Sequence, residues 1–191
     1  MNDNQVRIGV IGVGHLGQHH VKHYKTLDNV ELIGVFDTDR QRSLEISKKF
    51  DVKVFADLNS ILNEVDALSI VTNTKNHYEV AEKCLRSKKH VFIEKPITAE
   101  IEEADKLLSI AEKNKVSLNY EAAIAGGIPI VKAVKDNLRF NKIKKIYGIL
   151  NGTCNYILTK MDRNLRDFKD VLSDAQKKGF AELDPTFDIE G

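Results

Sequence analysis

Short apolar runs separated by amphipathic stretches dominate the first 120 residues. VRIGVIGVG reads as a buried strand entering a glycine turn, and VELIGVFD as a second strand. VKVF is a short third, DALSIVTNT a fourth, KHVFIEKP a fifth and KVSLNY a sixth. Between them, apolar residues recur at helical spacing over residues 15–27, 40–50, 58–63, 77–87 and 101–114. The last of these helices places Glu and Asp early and Lys late, as the helix dipole prefers. Val/Ile-rich strands alternating with helices predict a parallel sheet covered on both faces. Right-handed crossovers then make residues 1–119 an α/β, doubly wound Rossmann domain.

The pattern changes after Tyr120. EAAIAGGIPI offers a Gly-Gly hinge with Pro129 at a first helical position, and that helix runs to about Asn137. KIKKIYGIL reads as a strand, NGT as a turn and CNYILTKM as a helix. Asp167 is placed to cap FKDVLSDAQKK, with Gly179 as its stop. Without a low-complexity linker between them, residues 120–191 read as a second, packed α+β unit entered directly from the first.

Composition narrows the functional classes. Hydrophobic residues make up 42% and charged residues 30%, an ordinary globular balance. The formal charge of +1 gives no bulk attraction to nucleic acid or to an anionic membrane. Cys84 and Cys154 form neither a disulfide framework nor a Cys-x-x-Cys site and read as small buried hydrophobes. The N-terminal residues lack the pattern of a signal peptide, and no stretch is apolar enough to span a bilayer. A cytoplasmic protein is expected.

The chemistry starts at GVIGVGHLG. Gly12, Gly14 and Gly17 stand in G-x-G-x-x-G spacing after a predicted strand and before a predicted helix, the context a dinucleotide loop requires. Gly12 permits the tight turn, Gly14 lets a pyrophosphate approach the backbone, and Gly17 lets helix and strand pack closely. Loop residues Gly12, Val13, Gly14, His15, Leu16 and Gly17 then bind the cofactor, with free N–H groups at the helix start facing the phosphates. Asp37, at the end of the second strand, can accept both ribose hydroxyls and would repel a 2′-phosphate, which favours NAD over NADP. Arg40 and Arg42 lie close enough to reach such a phosphate and pull the other way. His15, His19 and His23 share one helix face. The spacing suits metal ligands, but without an acidic partner an exposed helix surface is the preferred reading. His20 points elsewhere.

With IGVIGVGHLGQHH, GVFDTD, VDALSIVTNTKNHYEVAEKCL and KHVFIEKPI, roughly the first 115 residues resemble the nucleotide domain of the Gfo/Idh/MocA oxidoreductases. That resemblance implies that Thr72 and His77 border the nicotinamide ribose and that Lys95 and Pro96 lie beside the reacting carbon. A lysine has a physical reason to be there. Hydride loss from a C–OH group needs the hydroxyl proton removed, and a partly desolvated ammonium can relay it. Without the resemblance, Glu94-Lys95-Pro96 is a surface strand end stopped by proline. Such enzymes usually add an Asp and a His on one later helix. No histidine follows His90, so a sugar or polyol substrate becomes the alternative reading.

From Tyr120 onward the sequence resembles a different family, homoserine dehydrogenase, through YEAAIAGGIPIVKAV, IYGILNGTCNYILTKM and AQKKGFAELDPTFDIEG. An unusual natural branch and a hybrid sequence would both account for the pairing. The resemblance implies that Glu121, Ile124, Gly126 and Ile128 bind a monovalent cation such as sodium through carbonyl oxygens. A plain helix-entry loop would look the same. It implies that Asn151, Gly152, Thr153 and Asn155 line the cleft beneath the nicotinamide, although Thr153 also suits a helix N-cap. It further implies that Gly179, Glu182 and Asp188 bind the substrate, with Glu182 catalytic alongside Lys95 and Asp184 in support. Read bare, these acids form a solvated turn around Pro185. In the family an aspartate and a lysine follow the final glycine, so the expectation is a chain ending inside its catalytic domain with little activity of its own. The longer parent is expected to be a homo-oligomer. The reaction implied is L-homoserine to and from L-aspartate 4-semialdehyde, in threonine and methionine synthesis. A dinucleotide-binding module without chemistry stands as a third reading.

Overall fold

The computed structural model describes residues 5–120, 130–138, 140–145, 147–148 and 152–181. The chain divides into two compact units, Met1–Ala123 and Ile124–Gly191.

In the first unit, strands β1 (Val6–Ile11), β2 (Val30–Phe36), β3 (Ala67–Ile70), β4 (His90–Ile93) and β5 (Leu118–Tyr120) form one sheet in the order β2-β1-β3-β4-β5. Every pairing is parallel. Helices α1 (Gly17–Tyr24), α2 (Arg40–Phe50), α3 (Leu58–Leu62), α4 (His77–Arg86) and α5 (Ile101–Asn114) connect the strands. The pleat sends successive side chains to opposite faces. Val10 therefore packs with Val21 of α1 and Ile46 of α2. Its neighbour Ile11 joins Ile61 of α3, Leu85 of α4 and Leu107 of α5 on the other side. The doubly wound α/β architecture expected from the sequence is thus observed.

The expected third strand is a difference. VKVF makes a single bridge, Val54 to Val35, instead of a strand. It still lies beside β2, with Val35 N–H donating to Lys53 O (2.8 Å) and Phe55 N–H to Val35 O (2.9 Å). The segment has no room for a longer ladder. Asp51, in the left-handed conformation, ends α2 just before it, and Asp57 begins the capping box of α3 just after it. Counting this bridge, the spatial order is the 3-2-1-4-5-6 arrangement of dinucleotide-binding sheets, and the order reverses between β1 and β3.

Local signals account for the other boundaries. Asp39 caps α2, accepting from Arg42 N–H at 3.1 Å. Glu102 and Glu103 open α5 and Lys113 closes it. The first helix starts at Gly17, two residues later than its periodicity implies, because the glycine loop occupies the difference. Cys84 is fully buried, and burial pushes its thiol up to about 12, which fits a packed hydrophobe and not a nucleophile.

In the second unit α6 (Ile130–Lys132) continues into a π-helical turn, Ala133–Asn137. Helices α7 (Gly152–Asn164) and α8 (Phe168–Lys177) pair through Ile157, Val171, Ala175 and Ala181. Asp167 stands at the N-cap of α8 in extended backbone but makes no side-chain cap bond. Gly179 ends the helix as expected, with φ +74°, a conformation glycine adopts without steric cost. The described residues of KIKKIYGIL form no strand. A strand is stabilised by pairing, and none of the described ladders includes this segment.

Candidate active site

The carboxyl ends of β1 and β3 frame the glycine loop. Gly12 has φ +84°, and a Cβ there would stand 2.6 Å from Val71 O and 2.8 Å from Thr72 N. Only glycine makes this turn against the end of β3. At Gly17 a Cβ would sit 2.0 Å from Gly12 O, so α1 packs onto the loop more closely than any side chain allows. Gly14 faces open space, with nothing within 4 Å of its missing Cβ. Helix α1 begins without a side-chain cap over its first N–H groups, which leaves its positive end available to an anion. Tight turn, close packing and open approach are the three features a pyrophosphate needs, so these residues fit a dinucleotide.

Asp37, whose side chain is 7% exposed, ties this loop to the end of β2. Its Oδ2 accepts from Val13 N–H at 2.8 Å and its Oδ1 from Asp39 N–H at 2.9 Å. A carboxylate has about four lone-pair sites, so acceptor capacity remains for a ribose hydroxyl. Arg42 lies 3.4 Å from Asp37 and 3.2 Å from Asp39, held between two carboxylates. Beside them opens a cleft of about 370 Å³ lined by Val13, Gly14, His15, Gln18, Glu45 and Lys49 among others.

The other half of the site lies past β3 and β4. His77 is buried, with Nδ1 2.9 Å from Pro96 O and Nε2 3.0 Å from Thr72 O. Its ring therefore clips the end of β3 to the segment after β4 and is turned into the protein. Both partners are carbonyl oxygens, so each bond is made by the ring nitrogen that carries a hydrogen. Thr72 is half-buried, and Lys95 is exposed at the head of the clipped segment.

Three residues to which the motifs give no role meet here. His20, on α1, sits 2.9 Å from Ser69 Oγ through Nδ1 and 2.9 Å from Glu94 Oε1 through Nε2. Glu94 Oε2 accepts the backbone N–H of Lys95 at 3.0 Å. The His20 hydrogen bond holds the Glu94 carboxyl below its ordinary value, against the opposing effect of burial. One signal could have revealed the group. Ser69 is a hydroxyl inside an apolar strand, and a buried hydroxyl needs a partner. On the outer face of α1, His15 and His19 contact edge to face with centroids 5.4 Å apart. Among the described residues, no group of three His, Cys, Asp or Glu is placed to hold a metal ion.

In the second unit, Gly152 and Thr153 are the first residues of α7, so the expected NGT turn is already helical there. Thr153 is not an N-cap. Its hydroxyl donates to Phe180 O, which joins the start of α7 to the residue after Gly179. Glu121, Ile124, Gly126, Ile128, Asn151, Glu182, Asp184 and Asp188 lie outside the described residues.

Comparison with known proteins matches this geometry to a family. The Gfo/Idh/MocA family, described as "Oxidoreductase family, NAD-binding Rossmann fold", matches residues 6–121. This chain belongs to that family. A second profile, homoserine dehydrogenase, matches residues 129–191. Homoserine dehydrogenase of Bacillus subtilis is 34% identical over 204 residues, 97% of this oxidoreductase chain and 45% of the relative. UDP-N-acetylglucosamine 3-dehydrogenase of Acidithiobacillus ferrooxidans is 42% identical over 113 residues, 59% of this chain and 36% of the relative. Among solved structures, a homoserine dehydrogenase from Thiobacillus denitrificans superposes with a TM-score of 0.78 at 27% identity, over 97% of this chain and 45% of that one. This NAD(P)-type oxidoreductase thus spans less than half the length of these relatives. No helix among its described residues is long and apolar enough to cross a membrane.

Proposed function

We propose that this oxidoreductase acts as a homoserine dehydrogenase, interconverting L-homoserine and L-aspartate 4-semialdehyde in threonine and methionine synthesis. The observation that supports this best is coverage. Three relatives named homoserine dehydrogenase align across 97–98% of the chain, whereas the sugar-nucleotide relative aligns with 59%. Residues 1–119 form the cofactor domain and residues 120–191 belong to the catalytic domain.

The cofactor supplies the hydride acceptor or donor, and the protein supplies orientation and charge. The loop from Gly12 to Gly17 takes the pyrophosphate, with His15 and Leu16 at the rim, and Asp37 takes the adenosine ribose. Arg42 is already balanced by Asp37 and Asp39, at 3.4 and 3.2 Å, so little positive potential is left for a 2′-phosphate and NAD is preferred to NADP. Thr72 borders the nicotinamide ribose, with His77 behind it as the clip. Lys95 relays the hydroxyl proton to solvent as the hydride leaves, releasing one of its own protons to water in exchange for the substrate's. Asn151, Gly152, Thr153, Gly179 and Asp188 shape the substrate side, where Glu182 meets the α-ammonium. Carbonyls of Glu121, Ile124, Gly126 and Ile128 hold a monovalent cation such as sodium. The protein works in the cytoplasm as a homo-oligomer, without nucleic acid.

Turnover decides the substrate. The full-length protein that carries these residues is offered L-homoserine, myo-inositol, D-glucose and UDP-N-acetylglucosamine with NAD⁺ or NADP⁺, and NAD(P)H formation is followed. Reduction with homoserine is expected. Oxidation of a sugar or polyol in its place would overturn the proposal and favour the reading that the 42% relative supports. Asp37→Ala tests the cofactor site separately. It removes a charged acceptor, and hydrogen bonds to charged groups are worth about 1.5–3 kcal/mol. NADH affinity by fluorescence titration should therefore fall about 10- to 100-fold, and unchanged affinity would exclude this loop as the cofactor site.

A further inference from the structure

His20, Ser69 and Glu94 have no place in the chemistry described so far, yet they join the two halves of the site. His20 lies on α1, the helix that starts at the glycine loop, and Glu94 directly precedes Lys95. The His20 and Glu94 side chains are 17% and 20% exposed, and Ser69 is fully buried. With Nε2–H donating to Glu94 Oε1, the ring Nδ1 takes the Ser69 O–H. Both ring nitrogens are then satisfied and the imidazole has one orientation. Tyr24, one turn further along α1, packs its ring 6.2 Å from His20, and Phe92 packs 6.0 Å away on the strand side. The carboxylate held by this ring spends its second oxygen on the Lys95 N–H, at 3.0 Å.

We propose that His20 and Glu94 are positioning residues for Lys95: the ring fixes the carboxylate, the carboxylate fixes the lysine main chain, and α1 and the lysine segment are thereby held in one register. The consequence is physical coupling. Helix α1 receives the pyrophosphate at its N-terminus, so its seating on the cofactor is transmitted through two hydrogen bonds to the residue beside the reacting carbon. A displacement of about 1 Å at a reacting group is enough to cost a large part of the rate, so a bridge of this kind has work to do. The part of Lys95 in the reaction rests on the function proposed above. The bridge itself does not, and it can be measured without turnover.

The charged and titratable groups that face Glu94 are His20 from α1, Lys95 from its own segment and Tyr24 behind Ser69. Because its carboxyl is held below the ordinary value in the fold, the bridge is complete above the ordinary carboxylate range. It is lost as pH falls through the lowered value.

The experiment is amide NMR of the full, ¹⁵N-labelled chain, following the Lys95 N–H. In the unaltered protein this resonance should lie downfield and step as Glu94 titrates below the ordinary carboxylate range. In His20→Phe the step should move up toward that range and the downfield shift should shrink. In His20→Gln, whose amide N–H can reach the same oxygen, the step should stay low. In Glu94→Gln the step should vanish while the resonance stays downfield, because the amide oxygen still accepts. An unmoved Lys95 resonance in His20→Phe, equal loss in the Phe and Gln variants, or a step that persists in Glu94→Gln would each overturn the proposal. If His20→Phe does not fold, the Gln variants decide alone: the step stays low in His20→Gln and vanishes in Glu94→Gln, or the bridge is not there. Failure of homoserine turnover would leave these results untouched.

Discussion

In the full-length protein that carries these residues, Lys95→Met should lower turnover by about 10²- to 10⁴-fold, the contribution of a positioned acid–base group, while leaving NADH binding and stability close to those of the unaltered protein. The side chain is exposed at the end of β4, so replacing it removes no packing. Its main-chain N–H, the group that Glu94 accepts, remains in the variant. Methionine keeps most of the aliphatic stem and loses only the ammonium. The loss should fall on kcat with little change in KM, because the proton is in transit only in the transition state. Steady-state kinetics with homoserine and a parallel NADH titration separate the two quantities. A variant that turns over normally would remove Lys95 from the reaction and leave the segment as an ordinary strand end stopped by proline.

Gly17→Ala is the second large effect, and its sign is opposite to the usual one. Alanine in place of glycine inside a helix normally stabilises by about 0.5–1 kcal/mol. Here the added Cβ would stand 2.0 Å from Gly12 O and 2.9 Å from Gly12 C. Both atoms are backbone, so the clash cannot be relieved by turning a side chain. Either α1 moves away from β1 or the glycine loop changes shape. Overpacking of this kind costs about 1–3 kcal/mol. It also shifts the N–H groups that receive the pyrophosphate, so NADH affinity should fall together with stability. Urea unfolding and NADH titration give the two values. An unchanged unfolding midpoint with unchanged affinity would mean that α1 does not sit against the loop as described.

How much of this was legible beforehand follows from the range of each interaction. Asp39 and Asp57 cap their helices through bonds spanning three residues, so they are visible in a short window of sequence. The same holds for Gly179, which stops α8 by its own left-handed backbone. The short third strand expected at VKVF is only a bridge for a related reason. VKVF has strand-like residues, but ladder length depends on how much chain remains between Asp51 and Asp57 once both caps have formed. Family likeness sets His77 at the ribose. Folding turns its ring inward, onto the carbonyls of Thr72 and Pro96. His20 lies off the face shared by His15, His19 and His23, and that same displacement is what aims it at Ser69 and Glu94.

By itself the sequence determined the alternation of strands and helices, the glycine spacing and the acid at the end of the second strand. Each of these is set by backbone geometry and side-chain period within a few residues. Only the tertiary structure decided which side chains meet. His20 and Glu94 are 74 positions apart, and Val13 and Asp37 are 24 apart. Their contact depends on the parallel order β2-β1-β3-β4, which brings the carboxyl ends of four strands to one edge. Burial there makes unpaired polar atoms costly, so each must find a partner from whichever strand the sheet has set beside it.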